Sequence, residues 1–357
     1  MTAKQRLAVI FGGRSAEHEV SVTSARGIMR EADRDRFDVI PVGITKRGAW
    51  LSEEETRSRL AQVETGQRRD IGDDLGGGAF AYLDVLATLR SVDVVFPIVH
   101  GTFGEDGTMQ GLLEMADLPY VGPGVAASAV GMDKELMRAV FAAHQIPQAT
   151  YVVLRDQEVS APTREALDAI GPAVGYPCFV KPANGGSSVG VTKARSREDV
   201  GDAIAEAGRF DRKVLIEAAV EGQEVECAVL GHHEPQPSPL GEIAPSTEFY
   251  DYAAKYLDDT AALIVPARVD ERVAALVQEY AVRAFRALDC SGLSRVDFFV
   301  EPGGSVKCIE VNTLPGFTPI SMYPRLWQEA GVSYSELISK LVDFALQRHG
   351  ERRVAHA

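Results

Sequence analysis

The sequence predicts a protein of mixed α/β and α+β class with three domains. A chain of 357 residues is too long for a single hydrophobic core, which favours two or three packed domains. Its first third alternates short apolar segments with helical ones, the pattern of a parallel α/β sheet. After residue 131 the pattern changes to helices mixed with paired strands. The expected domains are an N-terminal parallel-sheet domain at residues 1–131, a central α+β unit at 132–221 and a C-terminal unit at 222–357.

The expected elements follow from the spacing of apolar residues along each domain. The first domain is predicted to contain strands at residues 7–11, 37–44 and 92–99 and helices at about 19–31 and 108–116. The second is predicted to contain helices at 133–144, 163–170 and 197–208, strands at 150–154 and 213–220, and a strand pair within 178–193. The third is predicted to contain a mobile loop rich in proline and aromatic residues at 232–260, a helix at 270–288, paired strands at 294–301 and 306–313, and a helix at 333–348 before a frayed charged tail.

Polar residues interrupt the last two predicted strands, which are otherwise apolar. Glu310 and Asn312 are two residues apart, so their side chains leave a strand on the same face, and Asp297 lies on the neighbouring strand. Two carboxylates and one amide oxygen form the oxygen-only ligand set that suits Mg²⁺. Arg295, two residues before Asp297, can face the same cleft and stabilise developing negative charge. The alternative is a solvated charged face, but we interpret this strand pair as a metal–phosphate site.

Composition argues against several classes of function. The formal net charge of −14 disfavours nucleic acid or an anionic membrane as a partner, because both require a basic surface. The four cysteines occur without C-x-x-C spacing, so we expect core positions rather than a zinc site or disulfides. The N-terminus lacks the apolar core of a signal peptide, and no later run has the length of a membrane span. We therefore expect a soluble cytoplasmic protein.

Three glycine clusters are candidates for binding phosphate. Residues 122–127 (GPGVAA) match a dinucleotide fingerprint superficially, but Pro123 removes an amide donor and no acidic residue follows at the expected distance. The turn at residues 12–15 could hold a ligand at the mouth of the parallel sheet. The best candidate is residues 181–190 (KPANGGSSVG), whose amides and hydroxyls can cover a polyphosphate while Lys181 supplies positive charge. An ordinary polar hairpin is the alternative, and no P-loop motif occurs.

Taken in chain order, the motifs resemble the D-alanine–D-alanine ligases of the ATP-grasp superfamily. The resemblance covers nearly the whole chain. Each motif alone is weak evidence, but the full set in this order is highly specific. The motifs are FGGRSAEHEVS (11–21), HGTFGEDGT (100–108), GMDK (131–134), KPANGGSSVG (181–190), FYDYAAKY (249–256), SRVD (294–297), EVNTLPGFT (310–318) and SMYP (321–324).

The resemblance implies a three-domain ATP-grasp fold and ATP-driven synthesis of D-alanyl-D-alanine for peptidoglycan precursors. The carboxylate of a first D-alanine attacks the γ-phosphate of ATP, and the amine of a second D-alanine attacks the resulting D-alanyl phosphate. Two Mg²⁺ ions, for which Mn²⁺ can substitute, would offset the charge of the phosphates. The implied partners are ATP and two D-alanine molecules. A homodimer through the first domain is also expected, because relatives commonly form one.

The resemblance also assigns residues to the amino-acid substrates. Glu17 would pair with the ammonium group of the first D-alanine, and His100 would lie near the same molecule. Ser187 and Tyr256 would join Glu17 in a hydrogen-bonded set that closes over the substrates. The remaining implied contacts are an oxyanion site formed by Arg295 and the Gly316 amide, and a site for the second carboxylate formed by Ser321 and Met322.

The nucleotide and metal contacts follow from the same resemblance. Phosphate binding is implied for Lys134, Lys181, Ser188 and Lys255. The segment that would meet adenine and ribose is flanked by Glu217 and Glu224, and the metal ligands would be Asp297, Glu310 and Asn312. The intact segment that carries Tyr256 favours an amine acceptor over a hydroxy acid.

Other functions stay open at this point. An ATP-grasp ligase could use D-lactate or another D-amino acid as the acceptor. A non-catalytic nucleotide-gated sensor with the same fold would be expected to lack a metal ligand or Arg295, and the sequence retains both. A dehydrogenase built on residues 122–127 is the weakest hypothesis, because that cluster matches its fingerprint poorly.

Overall fold

The computed structural model describes residues 3–65, 67, 70–71, 87–244 and 262–355, which fold around three β-sheets. The first sheet is parallel, with strand order β2-β1-β3. Its strands are β1 (Gln5–Gly12), β2 (Phe37–Ile44) and β3 (Val94–Ile98), and its helices are α1 (His18–Glu31), α2 (Glu53–Glu64), α3 (Thr108–Met115) and α4 (Val125–Met132). The sequence prediction of a parallel sheet in the first domain is therefore confirmed.

The second sheet is antiparallel, with strand order β4-β7-β5-β6. Its strands are β4 (Tyr151–Arg155), β5 (Cys178–Pro182), β6 (Thr192–Ala194) and β7 (Lys213–Ala218). The helices of this part of the chain are α5 (Lys134–Ala143), α6 (Gln157–Ser160), α7 (Arg164–Val174) and α8 (Arg197–Ala207). Apolar residues of the strands, such as Val180 and Ile216, pack with Ile170 and Ile204 of helices α7 and α8 in one core.

The third sheet is also antiparallel, with strand order β10-β9-β8-β11-β12. Its strands are β8 (Gln223–Gly231), β9 (Gln236–Ala244), β10 (Ala262–Ile264), β11 (Gly292–Val300) and β12 (Val306–Asn312). The accompanying helices are α9 (Glu271–Ala287), α10 (Met322–Glu329) and α11 (Tyr334–Ala355). Mixed α/β and α+β architecture, as predicted, is therefore the observed fold class.

The prediction of a loop over residues 232–260 is wrong in its first part, where the chain forms strand β9. Pro237 and Pro239 suggest a loop because proline donates no hydrogen bond to a ladder. The sheet accommodates them at a register shift opposite residues 227–229. There the Ser238 hydroxyl accepts a hydrogen bond from the Ala228 amide at 3.0 Å. Residues 245–260 of the predicted loop lie outside the described residues.

The predicted frayed tail after residue 348 is also wrong, because helix α11 continues to Ala355. Its last turns contact the first domain. Arg348 donates to the Tyr120 carbonyl at 3.0 Å, and the Arg352 guanidinium lies 2.8 Å from Glu114. These partners precede the tail by more than two hundred residues, so the local sequence gives no sign of them.

Two of the hydrophobic cores combine residues from different predicted domains. Phe141 of helix α5 packs with Val296 and the rest of the five-stranded sheet. Leu341 of helix α11 packs with Phe11 of the parallel sheet. The residue ranges predicted for the three domains therefore stay a prediction. Within the described residues, no helix is both long enough and apolar enough to cross a membrane.

Candidate active site

Strands β11 and β12 bring the predicted metal ligands together. Asp297 is directly opposite Glu310, and Arg295 is directly opposite Asn312. Directly paired residues of an antiparallel ladder point to the same face, so all four side chains share one face. Val296, between the two polar residues of β11, is fully buried on the other face. The predicted shared face is confirmed, whereas metal binding itself stays a prediction.

Arg295 forms ion pairs with two buried carboxylates on this face. Its Nε and Nη2 atoms donate to the two oxygens of Asp297, both at 2.7 Å, and its Nε lies 3.1 Å from an oxygen of Glu226 on β8. Asp297 and Glu226 are each only 3% exposed. Buried carboxylates need such partners because an unpaired charge away from water is strongly unfavourable.

The same residues fit a hard divalent cation. Asn312 presents its amide nitrogen to Asp297 at 2.9 Å, so rotating that amide by half a turn would present an oxygen instead. The resulting donor set, two carboxylates and an amide oxygen, is the one that Mg²⁺ favours. Lys134 lies 3.5 Å from Glu310. Cationic side chains thus already occupy the negative face that a metal ion would neutralise.

Lys134 connects the metal strands to the glycine-rich loop. It is the first residue of helix α5, whose N-cap Asp133 accepts hydrogen bonds from the Glu135 and Leu136 amides at 3.0 and 3.1 Å. Its ammonium group donates to the Gly185 carbonyl at 2.7 Å. A capped helix start therefore holds a largely buried cation between residues 181–190 and strand β12.

Lys181 belongs to a buried group of charges that the sequence analysis described only in part. It forms an ion pair with Glu217 of strand β7, and Glu217 also pairs with Arg138 of helix α5. Burial lowers the pKa of Lys181 and the nearby cations lower it further, against the raising effect of Glu217. Burial would raise the pKa of Glu217, but the charges of Lys181 and Arg138 outweigh it and hold that pKa below its usual range.

Ser187 and Glu17 join the glycine-rich loop to the first domain. The Ser187 hydroxyl donates to a Glu17 carboxylate oxygen at 2.5 Å. Ser187 and Ser188 both have left-handed backbone, with φ of 50° and 59°. This conformation is unfavourable for residues with a side chain and is characteristic of functional loops. The predicted proximity of Glu17 and Ser187 is therefore observed, while Tyr256 lies outside the described residues.

His100, whose proximity to the first D-alanine stays a prediction, is buried within the electrostatic influence of Glu17. Its Nδ1 is 3.0 Å from the Leu314 carbonyl, which can only accept, so Nδ1 carries the proton. Burial lowers the pKa of His100, against the raising effect of Glu17. Burial therefore favours the neutral imidazole.

Glu105 is a site residue to which the sequence analysis gave no role. It accepts hydrogen bonds from the Gly101 amide at 2.7 Å and from the Leu314 amide at 3.0 Å. It therefore ties the motif at residues 100–108 to the motif at 310–318. Burial and then the charge of Glu17 raise its pKa to about 8. Its position inside the motif at residues 100–108 could have indicated a role in the site.

Arg138 and Glu226 were also missed. Arg138 is four residues after Lys134 and so shares its helix face. It is 1% exposed, and its guanidinium lies 5.4 Å from the centre of the Tyr151 ring. Glu226 is the ladder partner of Asp297. The helical spacing could have indicated Arg138, whereas Glu226 requires knowledge of the strand register.

Gly316, Ser321 and Met322 lie together at the start of helix α10. Ser321 is the N-cap, and its hydroxyl accepts a hydrogen bond from the Thr318 amide at 3.1 Å. A Cβ on Gly316 would lie 3.2 Å from that hydroxyl, so the glycine allows close packing. Helix N-termini attract anions, which suits a carboxylate at this point. Among the other predicted contacts, Ser188 lies in the glycine-rich loop, Glu224 is half-buried on β8, and Lys255 is outside the described residues.

A parallel-sheet domain, followed by two antiparallel sheets that meet at buried lysines and an acidic strand pair, defines an enzyme of the ATP-grasp class. Two family models match the chain: "D-ala D-ala ligase N-terminus" over residues 6–123 and "D-ala D-ala ligase C-terminus" over residues 140–343. The D-alanine–D-alanine ligase of Heliobacterium modesticaldum is 49% identical, over 98% of this chain and 97% of its own. The chain therefore belongs to the D-alanine–D-alanine ligase family, whose members are ADP-forming ligases.

Solved structures agree with this family. The D-alanine-D-alanine ligase of Coxiella burnetii is 33% identical with a TM-score of 0.81, covering 99% of this chain and 97% of that one. The VanG D-Ala:D-Ser ligase of Enterococcus faecalis is 35% identical with a TM-score of 0.80, covering 96% and 100%. Both similarities extend over the whole fold, and the second relative carries a different acceptor in its name.

Proposed function

We propose that this protein joins two D-alanine molecules into D-alanyl-D-alanine and converts one ATP to ADP and phosphate in each cycle. The observation that carries the proposal is the Ser187–Glu17 hydrogen bond. It joins the glycine-rich loop to the carboxylate that would receive the substrate ammonium, so phosphates and amino acid would share one site. The names of the similar proteins support D-alanine as the substrate.

The first step joins two anions, the carboxylate of D-alanine and the γ-phosphate of ATP. Glu17 would hold the ammonium of the first D-alanine, beside the imidazole of His100. Lys134 and Lys181 are buried at the loop that would cover the phosphates, and they would offset the repulsion between the reactants. Positioning of this kind supplies much of the rate in phosphoryl transfer.

Asp297, Glu310 and Asn312 would hold the metal ions. Two bound Mg²⁺ or Mn²⁺ ions would neutralise charge on the transferring phosphate. In the structure Arg295 and Lys134 form ion pairs with this acidic face, which supports its affinity for positive charge.

The second step forms a tetrahedral intermediate as the amine of the second D-alanine attacks the acyl phosphate. Arg295 and the Gly316 amide would stabilise its oxyanion. Ser321 and the Met322 amide would receive the second carboxylate at the start of helix α10. The proposed roles of Lys255 and Tyr256 rest on the sequence resemblance. The contacts that Glu217 and Glu224 would make with the nucleoside rest on the same resemblance.

The test is ADP release by the purified protein with ATP and Mg²⁺, with product masses determined. Substrates are D-alanine, L-alanine, D-alanine with D-lactate, and D-alanine with D-serine. We expect D-alanine alone to give ADP and a dipeptide of two alanines. A preferred mixed product would assign a different acceptor, and no D-alanine-dependent ADP release would refute the proposal.

Two accompanying proposals concern assembly and location. We propose a homodimer, as relatives commonly form, and light scattering on the purified protein measures this directly. We propose a cytoplasmic location because the reaction consumes ATP, and fractionation of the source cells tests it.

A further inference from the structure

Three ligating side chains converge beyond one end of strands β8 and β11, outside the candidate active site. His232 and His233 follow strand β8, and Glu351 projects from the last turns of helix α11. Gly231, just before the histidines, pairs with Gly292 at the start of strand β11. Three residues of strand, about 10 Å, separate Gly292 from Arg295. The cluster is therefore distinct from the face that carries Asp297.

The three side chains lie close to the spacing that a single cation requires. Nε2 of His232 lies 3.0 Å from one oxygen of Glu351, and Nε2 of His233 lies 2.8 Å from the other. All the ligand atoms lie within 4.8 Å of one another. A metal ion with bonds of about 2.0–2.2 Å holds its ligand atoms about 3–3.5 Å apart. Small side-chain movements therefore suffice to bring all three onto one ion.

Neighbouring groups orient these ligands. The hydroxyl of Ser291, a buried residue, lies 3.0 Å from Nδ1 of His232. When it accepts the Nδ1 proton, the lone pair of Nε2 points toward the Glu351 carboxylate, an arrangement that a cation between them stabilises. Gln347, one helical turn before Glu351, donates to the carboxylate at 3.0 Å. A histidine and the carboxylate thus each have the outer partner that is typical of metal ligands.

We propose that His232, His233 and Glu351 form a binding site for a borderline divalent cation, with Zn²⁺ as the best match. Two imidazoles and one carboxylate, with a position left for water, are a recurrent zinc ligand set. Mg²⁺ prefers oxygen ligands only, so this site and the active-site face select different metals. The cysteines do not offer an accessible competing thiolate site, because all four are buried in the hydrophobic cores.

A cation here would fasten helix α11 to the five-stranded sheet. The same end of the helix contacts the first domain, where His349 lies 3.0 Å from Asp117 and Arg348 donates to Tyr120. The helix therefore bridges two parts of the fold, and the cation would secure one end of the bridge. Thermal stability is the property that its binding should change.

The test is a zinc titration of the untagged full-length protein against a colorimetric chelator, in millimolar Mg²⁺ to occupy the oxygen-ligand site. We expect one equivalent of zinc, and at least a tenfold weaker affinity in His233→Gln and in Glu351→Gln. The matched control is His349→Gln, which changes a histidine of the same helix outside the cluster and should bind zinc like the parent protein.

Melting temperatures give a second readout. Zinc at a hundredfold excess over its dissociation constant should raise the melting temperature of the parent and the His349→Gln control by about 3 °C. The two cluster variants should show no rise. His233 is largely exposed, so its replacement leaves the fold intact, which the zinc-free melting temperature verifies. Equal zinc affinity in parent and cluster variants, or no binding at 100-fold excess of zinc over protein, would overturn the assignment.

Discussion

Replacing Arg295 with alanine removes one guanidinium from two buried carboxylates, Asp297 and Glu226. Removing one partner of a buried ion pair destabilises a protein by about 3–5 kcal/mol, because the remaining charge stays away from water. The lower end of this range applies here, since Asn312 still donates to Asp297 at 2.9 Å. We therefore expect the free energy of unfolding to fall by about 3 kcal/mol.

The effect on turnover is separate from the effect on stability. If Arg295 stabilises the oxyanion of the tetrahedral intermediate, its loss should lower kcat by about 10²–10³, which corresponds to about 2.7–4 kcal/mol of transition-state stabilisation. ATP should still bind, because Lys134, which contacts the glycine-rich loop, and Lys181, its first residue, are both retained. The substitution should thus lower kcat and leave the affinity for ATP unchanged.

Urea unfolding, ATP titration by intrinsic fluorescence and D-alanine-dependent ADP release measure these three quantities on the same sample. Arg295→Lys is the matched control: it keeps the charge but cannot bind both oxygens of Asp297 at once. It should therefore lie between the parent and the alanine variant in both stability and turnover. Near-normal turnover of a folded Arg295→Ala protein would refute the oxyanion assignment.

Three further substitutions test the rest of the site. Ser187→Ala removes the hydrogen bond to Glu17 and should lower kcat/KM for D-alanine about 10–100-fold, since a hydrogen bond to a charged group contributes about 1.5–3 kcal/mol; unchanged steady-state kinetics would contradict this. Arg138→Lys keeps a cation but loses the fit to Glu217, so urea unfolding should show a loss of about 1–3 kcal/mol. An unaltered unfolding midpoint would speak against that contact. Tyr256→Phe should increase incorporation of D-lactate in competition with D-alanine, and a constant product ratio would count against its place in the closing set.

Local patterns predicted most of the elements. Strand β2 occupies residues 37–44, as its apolar run indicates. Strand β9 was missed because Pro237 and Pro239 are signals of a loop in any local window. Only the neighbouring strand, through the Ala228–Ser238 hydrogen bond, makes a ladder possible there. The end of helix α11 was missed for a similar reason, because its partners lie in the first domain.

The residues of the candidate site likewise fall into two groups: those that a local pattern predicts and those that depend on tertiary packing. Glu310 and Asn312 were recognisable because a two-residue spacing on one strand determines their shared face. Arg138 contacts Glu217 across 79 residues of sequence, and Glu105 contacts the Leu314 amide across 209. Contacts between residues so far apart in sequence depend on how the sheets and helices pack. The periodicity of the local sequence around each residue does not reveal its partner.

The candidate site holds buried cations within a protein whose net charge is strongly negative. At a net charge of −14, the long-range field disfavours an anionic nucleotide. Salt screens that field beyond about 8–10 Å, so short-range contacts decide binding. Lys181 and Lys134 are already held by Glu217 and Glu310. These carboxylates keep the cations in place, and phosphate oxygens would have to compete with them for the same ammonium groups. Nucleotide affinity must therefore arise from this preorganised set of charges, not from the surface as a whole.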